Sequence, residues 1–442
     1  MIFLAESREP TADGRDPFQK WYHGCRQSAD GDWLGFMELK FNVTSFDTTL
    51  RTEEAAEVRR GMFALIVLTA LHFVVDTIAS QITPLWPTLE QHYHLPTFWM
   101  LFIWTLAGSF SQLGFALIGD RAASRWLVWC GPAVSCVCLG CLGLFEHFLA
   151  LALLLAIAGM GIAAFHPEGA TLSGNCWPNA RSRALSIFAM GGFLGQSVGP
   201  PCGGWVVDHF GLSALSRGIA IGLTLILALR LVYRPMVIPT RSHTSATTGA
   251  WAVLKKRFSV LLMLLTAGTV RVIATAGVPI TLAYWLKSLR FSDGEIGAVQ
   301  SPYLAGIGLG GLLAAIVVRP QRERLTLWLV PLFCVPCLLA MPSLQGFALS
   351  AAAGATGFFL GIAQPVFISY GQQLFPESQR VASSITMGVS WGAGGAIVAA
   401  LIDVCGRRQS FDLAFVVFAV AVMISSVLCV LLPRVSVKTF AE

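Results

Sequence analysis

Apolar residues in this chain gather into long unbroken runs, rather than the alternation of a half-buried strand or the single stripe of a soluble helix. About 20 apolar residues at 1.5 Å each span roughly 30 Å of hydrocarbon. Twelve runs meet that length, near 62–84, 98–118, 126–145, 148–173, 184–206, 213–233, 259–284, 295–318, 325–342, 346–370, 381–402 and 411–432. Lipid offers no partner to backbone groups, so each run is predicted as a transmembrane helix. The composition agrees: of 442 residues, 55% are hydrophobic and 12% charged, with a mean hydropathy of +0.68. That excludes a soluble globular protein and predicts an all-α polytopic membrane protein.

Basic residues divide unequally between the two sets of loops. One set carries Arg59, Arg60, Arg121, Arg125, Arg181, Arg183, Arg234, Arg241, Lys255, Lys256, Arg257, Arg319, Arg322, Arg324, Arg380 and Arg434; the other carries only Lys287, Arg290, Arg407 and Arg408, with Arg217 at a helix start. The positive-inside rule then predicts a cell (inner) membrane protein with both termini and the 234–258 loop in the cytoplasm. The net charge of +6 follows from this bias and does not indicate nucleic acid. Residues 1–60 are polar and lack the short apolar core of a signal peptide. They are expected to form a cytoplasmic extension, a start at Met37 being the other reading. Asn42-Val-Thr44 fits a glycosylation sequon, but on the cytoplasmic side it is not expected to be used.

The two sides of the 234–258 loop repeat one another at an offset of 197 residues. Leu68-Thr-Ala70 returns as Leu265-Thr-Ala267, and Arg183, Met190, Gly191 and Gly195 return as Arg380, Met387, Gly388 and Gly392. Gly161-Ile-Ala163 returns as Gly361-Ile-Ala363 at an offset of 200. The chain therefore reads as two parallel six-helix repeats, 61–233 and 259–433, joined by a linker at 234–258 and followed by a tail at 434–442. Parallel repeats around a midplane site are an architecture of secondary transporters.

Ionisable residues deep in the spans are few: His72 and Asp76 in span one, His166 and Glu168 in span four, and Arg271 in span seven. An ionisable group at mid-membrane costs roughly 2.5–3.5 kcal/mol on insertion scales, so it normally meets a partner or a water-filled path. His72 and Asp76, four apart, share a helix face, where the carboxylate can neutralise a protonated imidazole. Pro167 removes a backbone donor between His166 and Glu168. These four residues are the candidate proton-coupling group; the other reading is a polar network that fixes helix packing. Arg271 lies roughly 18 Å along its helix and Asp76 roughly 21 Å along its own, at 1.5 Å per residue. Arg271 suits an anionic substrate with its fork of donors, or a structural pair with Asp76. Span ten, in the fourth equivalent place, adds Gln364, Ser369, Tyr370, Gln372 and Gln373; with Arg271, Gln364 and Tyr370 are candidate substrate ligands.

Span five carries Gly191, Gly195, Gly199 and Gly203 at every fourth position, a face against which another helix can approach closely, with Pro200 as a weak point. Its counterpart in span eleven is Gly388, Gly392, Ala396 and Ala400. Asp120, Arg121 and Arg125 after span two could latch a cytoplasmic gate, or simply lie in a solvated loop. The eleven cysteines lie mostly in apolar spans, where they behave as small hydrophobes; neither Cys334-Val-Pro-Cys337 nor Cys136, Cys138 and Cys141 is expected to be a redox or metal centre. No cofactor and no metal are expected.

With these residues in place, the chain resembles the major facilitator superfamily, and within it the fosmidomycin resistance protein family of bacterial efflux transporters. The resemblance covers residues 60–433 and rests on His72 with Asp76, Phe165-His-Pro-Glu168, and Ser186-Ile-Phe188 leading into Gly191-Gly192. Gly195, Gly199-Pro200 and Gly203-Gly204 look like the antiporter motif of drug/proton exchangers, and Gly119-Asp120-Arg121 with Arg125 is similar to the gate motif of the second loop. Two departures stand out: Arg319-Pro-Gln-Arg322-Glu-Arg324 lacks the Gly-Asp core of a second gate, and Gln373 stands where the family pattern suggests an acid. The resemblance implies a proton-coupled antiporter, acting as a monomer, that exports a small, drug-like molecule by alternating access, an anion being the reading that Arg271 suits. An importer built on the same residues is the near alternative. A membrane enzyme would need a nucleophile or a third ligand at depth, and a transporter-fold receptor would be supported by a large cytoplasmic domain; neither feature is read here.

Overall fold

The computed structural model describes residues 45–119, 124–177, 181–233, 255, 257–375, 382, 384–408 and 410–434. Among these residues there is no strand. Helices occupy all twelve predicted places: α1 (Val58–Tyr93), α2 (Thr97–Gly119), α3 (Leu127–Gly140), α4 (Phe148–Cys176), α5 (Arg181–Phe210), α6 (Leu212–Val232), α7 (Phe258–Ser288), α8 (Asp293–Val317), α9 (Pro320–Ser343), α10 (Gly346–Leu374), α11 (Ile385–Arg408) and α12 (Asp412–Leu431). Among the described residues, nine helices are long and apolar enough by themselves to cross a membrane. The chain is an all-α bundle of the predicted class.

Local chemistry explains the irregular helices. α1 tightens into a 3-10 turn at Thr83–Leu85, beside Pro84 and Pro87. Prolines at 331, 336 and 342 break α9 into short α and 3-10 pieces, because each removes a backbone donor. A π-helical turn, Ser384–Val389, leads into α11, and Ser390 Oγ, just past it, donates to the Ile385 carbonyl at 2.8 Å.

Glycines set how closely the helices approach. A Cβ on Gly191, Gly195, Gly199 or Gly203 of α5 would run into the carbonyl oxygens of Thr69, Phe73, Thr77 and Gln81 of α1. The every-fourth-residue stripe is thus the seat of α1. Its span-eleven counterpart turns elsewhere: Gly388 and Gly392 face Ser109 and Phe110 of α2, in the other repeat. Gly195→Ala places its Cβ within 3.0 Å of Phe73 C and Thr77 N, backbone that cannot step aside. We expect it to cost about 1–3 kcal/mol, as overpacking does. Gly108→Ala, with nothing within 4 Å, should be neutral or better. Thermal unfolding of the purified variants checks the contrast.

One end of the bundle is tied across the repeats. Asp208, at the end of α5, accepts the backbone N–H groups of Asp293 (2.9 Å) and Gly294 (2.7 Å) at the start of α8, where the positive end of the helix dipole favours a carboxylate. Asp293 accepts from Lys287 Nζ at 2.6 Å and from Thr88 Oγ1 of α1 at 2.8 Å. A few residues deeper, Ser301 Oγ donates to the Ser197 carbonyl at 2.6 Å, and Gly297 leaves room for the backbone of Pro200.

Candidate functional site

The α1 segment Ala64–Asp76 is largely buried: Ala64, Leu65, Leu68, Leu71 and Val75 lie in an apolar cluster, and His72 and Asp76 follow Leu65 and Leu68 at helical spacing. His72 and Asp76 are only 6% and 3% exposed. His72 is stacked on Phe188 of α5 (ring centroids 4.2 Å, 25°) and flanked by Phe165 of α4 at 5.5 Å, which fixes its plane. Its Nε2 lies 3.4 Å from Asp76 Oδ2, and Nε2 of His166 on α4 lies 3.4 Å from Asp76 Oδ1. The carboxylate therefore sits between two imidazoles that meet edge-on at 5.2 Å.

Each imidazole is oriented from behind. His72 Nδ1 is 2.8 Å from the Phe188 carbonyl, and His166 Nδ1 is 2.8 Å from that of Ile162. A carbonyl only accepts, so both Nδ1 atoms carry the hydrogen and donate, leaving each Nε2 turned to Asp76. Gln196 of α5 donates its Nε2 to Asp76 Oδ2 at 2.8 Å and holds the carboxylate in place. Gly192 makes the space: a Cβ there would sit 2.5 Å from His72 Cε1 and 2.8 Å from Asp76 Oδ2. The His166 side chain is 26% exposed and supplies the opening to the group.

Three of the four sequence candidates for proton handling thus converge on one point. Glu168 is buried two residues past His166, which turns it about 200° round the helix. Arg271 and Asp76 are not paired. The guanidinium of Arg271, 3% exposed, donates Nη1 to the Ala363 carbonyl at 2.9 Å and lies over the Phe367 ring at 4.3 Å; its Nε and Nη2 have no partner. Gln364 follows Ala363 on α10 and is half-buried. Tyr370 does not join them: its hydroxyl donates to the Pro433 carbonyl beyond α12 at 2.6 Å. Pro200 and Gly204 pack against the start of α8, Gly204 against the Asp293 backbone. Of the gate residues, Arg125 is exposed, while Asp120 and Arg121 lie outside the described residues.

Two residues escaped the sequence reading. Gln196 was invisible to a search for ionisable groups, although a lone amide in a glycine-rich helix is a usable signal. Glu323, at the head of α9, is buried and accepts from Ser369 Oγ (2.7 Å) and Gln373 Nε2 (2.8 Å) of α10. A carboxylate thus lies beside Gln373, on the neighbouring helix.

Comparison with known proteins agrees with this architecture. A sequence model of the Major Facilitator Superfamily matches residues 65–399. The fosmidomycin resistance protein of Escherichia coli (strain K12) is 23% identical over 372 residues, covering 82% of this chain and 91% of the relative. An uncharacterised MFS-type transporter of Bacillus subtilis (strain 168), YfnC, is 24% identical over 365 residues, covering 77% and 87%. Among solved structures, a mutant of the nucleoside transporter NupG superposes with a TM-score of 0.68 at 12% identity, covering 84% of this chain and all of the other. A bacterial homologue of the human lysosomal transporter Spinster gives 0.61 at 17% identity, covering 85% and 98%. At such identities the superpositions speak for the fold alone.

Proposed function

The chain belongs to the major facilitator superfamily and is a multi-pass membrane transporter, not an enzyme; from that premise we propose that it is a proton-coupled antiporter exporting a small anionic molecule across the cell membrane. The observation that carries the reading is the convergence of His72, Asp76, His166 and Gln196 around one buried carboxylate with a single half-open imidazole. A carboxylate between two imidazoles can hold or release a proton at little cost in geometry, because every member is already oriented by a second bond. The opening at His166 gives that proton a way in and out.

Arg271 supplies the anion site in the other repeat. Its two free donors are aimed by the Ala363 carbonyl and the Phe367 ring, and an oxyanion reaching Nε and Nη2 would complete the fork. The tie between Asp208 and the start of α8 closes the external end, and the basic loops, Arg125 among them, face the cytoplasm. Export is supported by the glycine and proline pattern of α5, which seats α1 on one side and α8 on the other, so that one helix bears on both repeats. The fosmidomycin resistance relative suggests a phosphonate or similar organic anion as substrate.

The test uses purified protein in liposomes with an imposed proton gradient, a trapped pH dye, and a panel of organic anions that includes fosmidomycin. At least one anion should move protons across the membrane in the direction opposite to its own. Anion movement with no proton movement would sink the coupling, and movement of both in the same direction would make the protein an importer.

A further inference from the structure

The contact between Asp76 and its two histidines is unusual for a proton bond. With Nδ1 donating to a carbonyl in each ring, a neutral imidazole presents a bare Nε2 lone pair to a carboxylate, and two acceptors face each other. A proton placed between them would be expected to draw nitrogen and oxygen to about 2.7–2.9 Å. Both separations are instead 3.4 Å, and His72 Nε2, fully buried, has no hydrogen-bond partner. A tetrahedral ion with metal–nitrogen and metal–oxygen bonds of about 2.0–2.2 Å sets its ligand atoms about 3.3–3.6 Å apart. One ligand atom from each of His72, Asp76 and His166 lies within 4.8 Å of the others, so a small rotation of the half-open His166 ring closes the triangle.

The outer contacts are those of a metal centre as well. Ligating histidines characteristically donate their second nitrogen to a backbone carbonyl, and ligating carboxylates are themselves hydrogen-bonded. Both features are present, through Phe188, Ile162 and Gln196. Two imidazoles and one carboxylate suit zinc and its neighbours iron(II), cobalt and nickel rather than magnesium or calcium.

We propose that His72, Asp76 and His166 form a three-ligand site for a divalent transition-metal ion of the zinc type, with a fourth position open to water beside His166. This departs from the sequence expectation that the chain holds no metal. Binding itself does not depend on the proton-coupling reading; only its consequence does, namely that the ion occupies the atoms a proton would use and arrests coupled transport.

The experiment is a titration of the full-length, tag-free protein in detergent with Co2+, followed by visible absorption. One equivalent should produce the intense bands of tetrahedral Co2+, displaced by Zn2+ and unaffected by Mg2+. His72→Ala, Asp76→Ala and His166→Ala should abolish the bands, and Gln196→Ala should weaken binding roughly 10–100-fold, the usual effect of an outer-shell partner. In case the alanine variants fold poorly, His166→Cys retains a ligand and should add a thiolate-to-cobalt charge-transfer band, which arises only if position 166 binds the ion. Absence of a saturable band in folded wild type overturns the proposal. So does a band that persists in all three alanine variants, which would place the ion on exposed histidines such as His92 and His209. No transport is measured, so this site and proton coupling can fail separately.

Discussion

Asp76→Asn is expected to reduce proton-driven anion transport to the level of empty liposomes while anion exchange at equal pH continues. Asparagine has the shape of the carboxylate, and its oxygen can still accept from Gln196. Its amide can donate to one of the two imidazole Nε2 atoms 3.4 Å from the present oxygens, so the packing of His72 against Phe188 and Phe165 need not change. What asparagine cannot do is gain and lose a proton. Asp76→Ala is a harsher change, because it strands the Gln196 amide, at a cost of about 1–3 kcal/mol, and opens a cavity beside His72. The two variants separate chemistry from folding. If Asp76→Asn retains coupled transport, the carboxylate is structural and the coupling group must be sought elsewhere, His166 first. If both coupled transport and exchange fall together with the folded fraction, the triad is a packing device.

The places of the twelve helices were legible because bilayer thickness fixes their length and because proline and glycine mark their irregularities. The glycine stripe of α5 could be read as a contact face, and so it is, against α1. Its partner could not be read in α11, where a π-helical turn takes in the first glycine of the stripe, and Gly388 and Gly392 meet α2 of the other repeat. Periodicity in a uniformly apolar helix says little about rotation, since every face is apolar and neighbours decide which one is buried. The same gap explains Tyr370, which the sequence groups with Gln364 and Arg271 but which donates to Pro433. His72, Asp76 and His166 were legible as candidates because charge in a span is rare; their convergence was not, since it depends on how α4 and α1 turn toward one another. Depth along the helix placed Arg271 level with Asp76, yet depth alone does not make two groups meet.

Arg271→Met should leave the protein as stable as wild type, or more so, and abolish transport of anions. In the folded chain the guanidinium gains one charged hydrogen bond to Ala363, worth about 1.5–3 kcal/mol, and a contact with the Phe367 face worth about 2 kcal/mol. Against these stand two unsatisfied donors at about 1–3 kcal/mol each and the several kcal/mol of taking a cation out of water. The balance is near zero or unfavourable, so a methionine of similar length lying on Phe367 should be tolerated. An arrangement that adds no stability calls for another reason to exist, and a passing oxyanion provides it. Arg271→Lys keeps the charge without the planar fork, so it should retain transport with a raised KM. Thermal unfolding and uptake, measured on the same preparations, decide the matter. If Arg271→Met lowers stability by several kcal/mol and uptake falls only with the folded fraction, Arg271 holds α7 to α10 and the anion binds elsewhere.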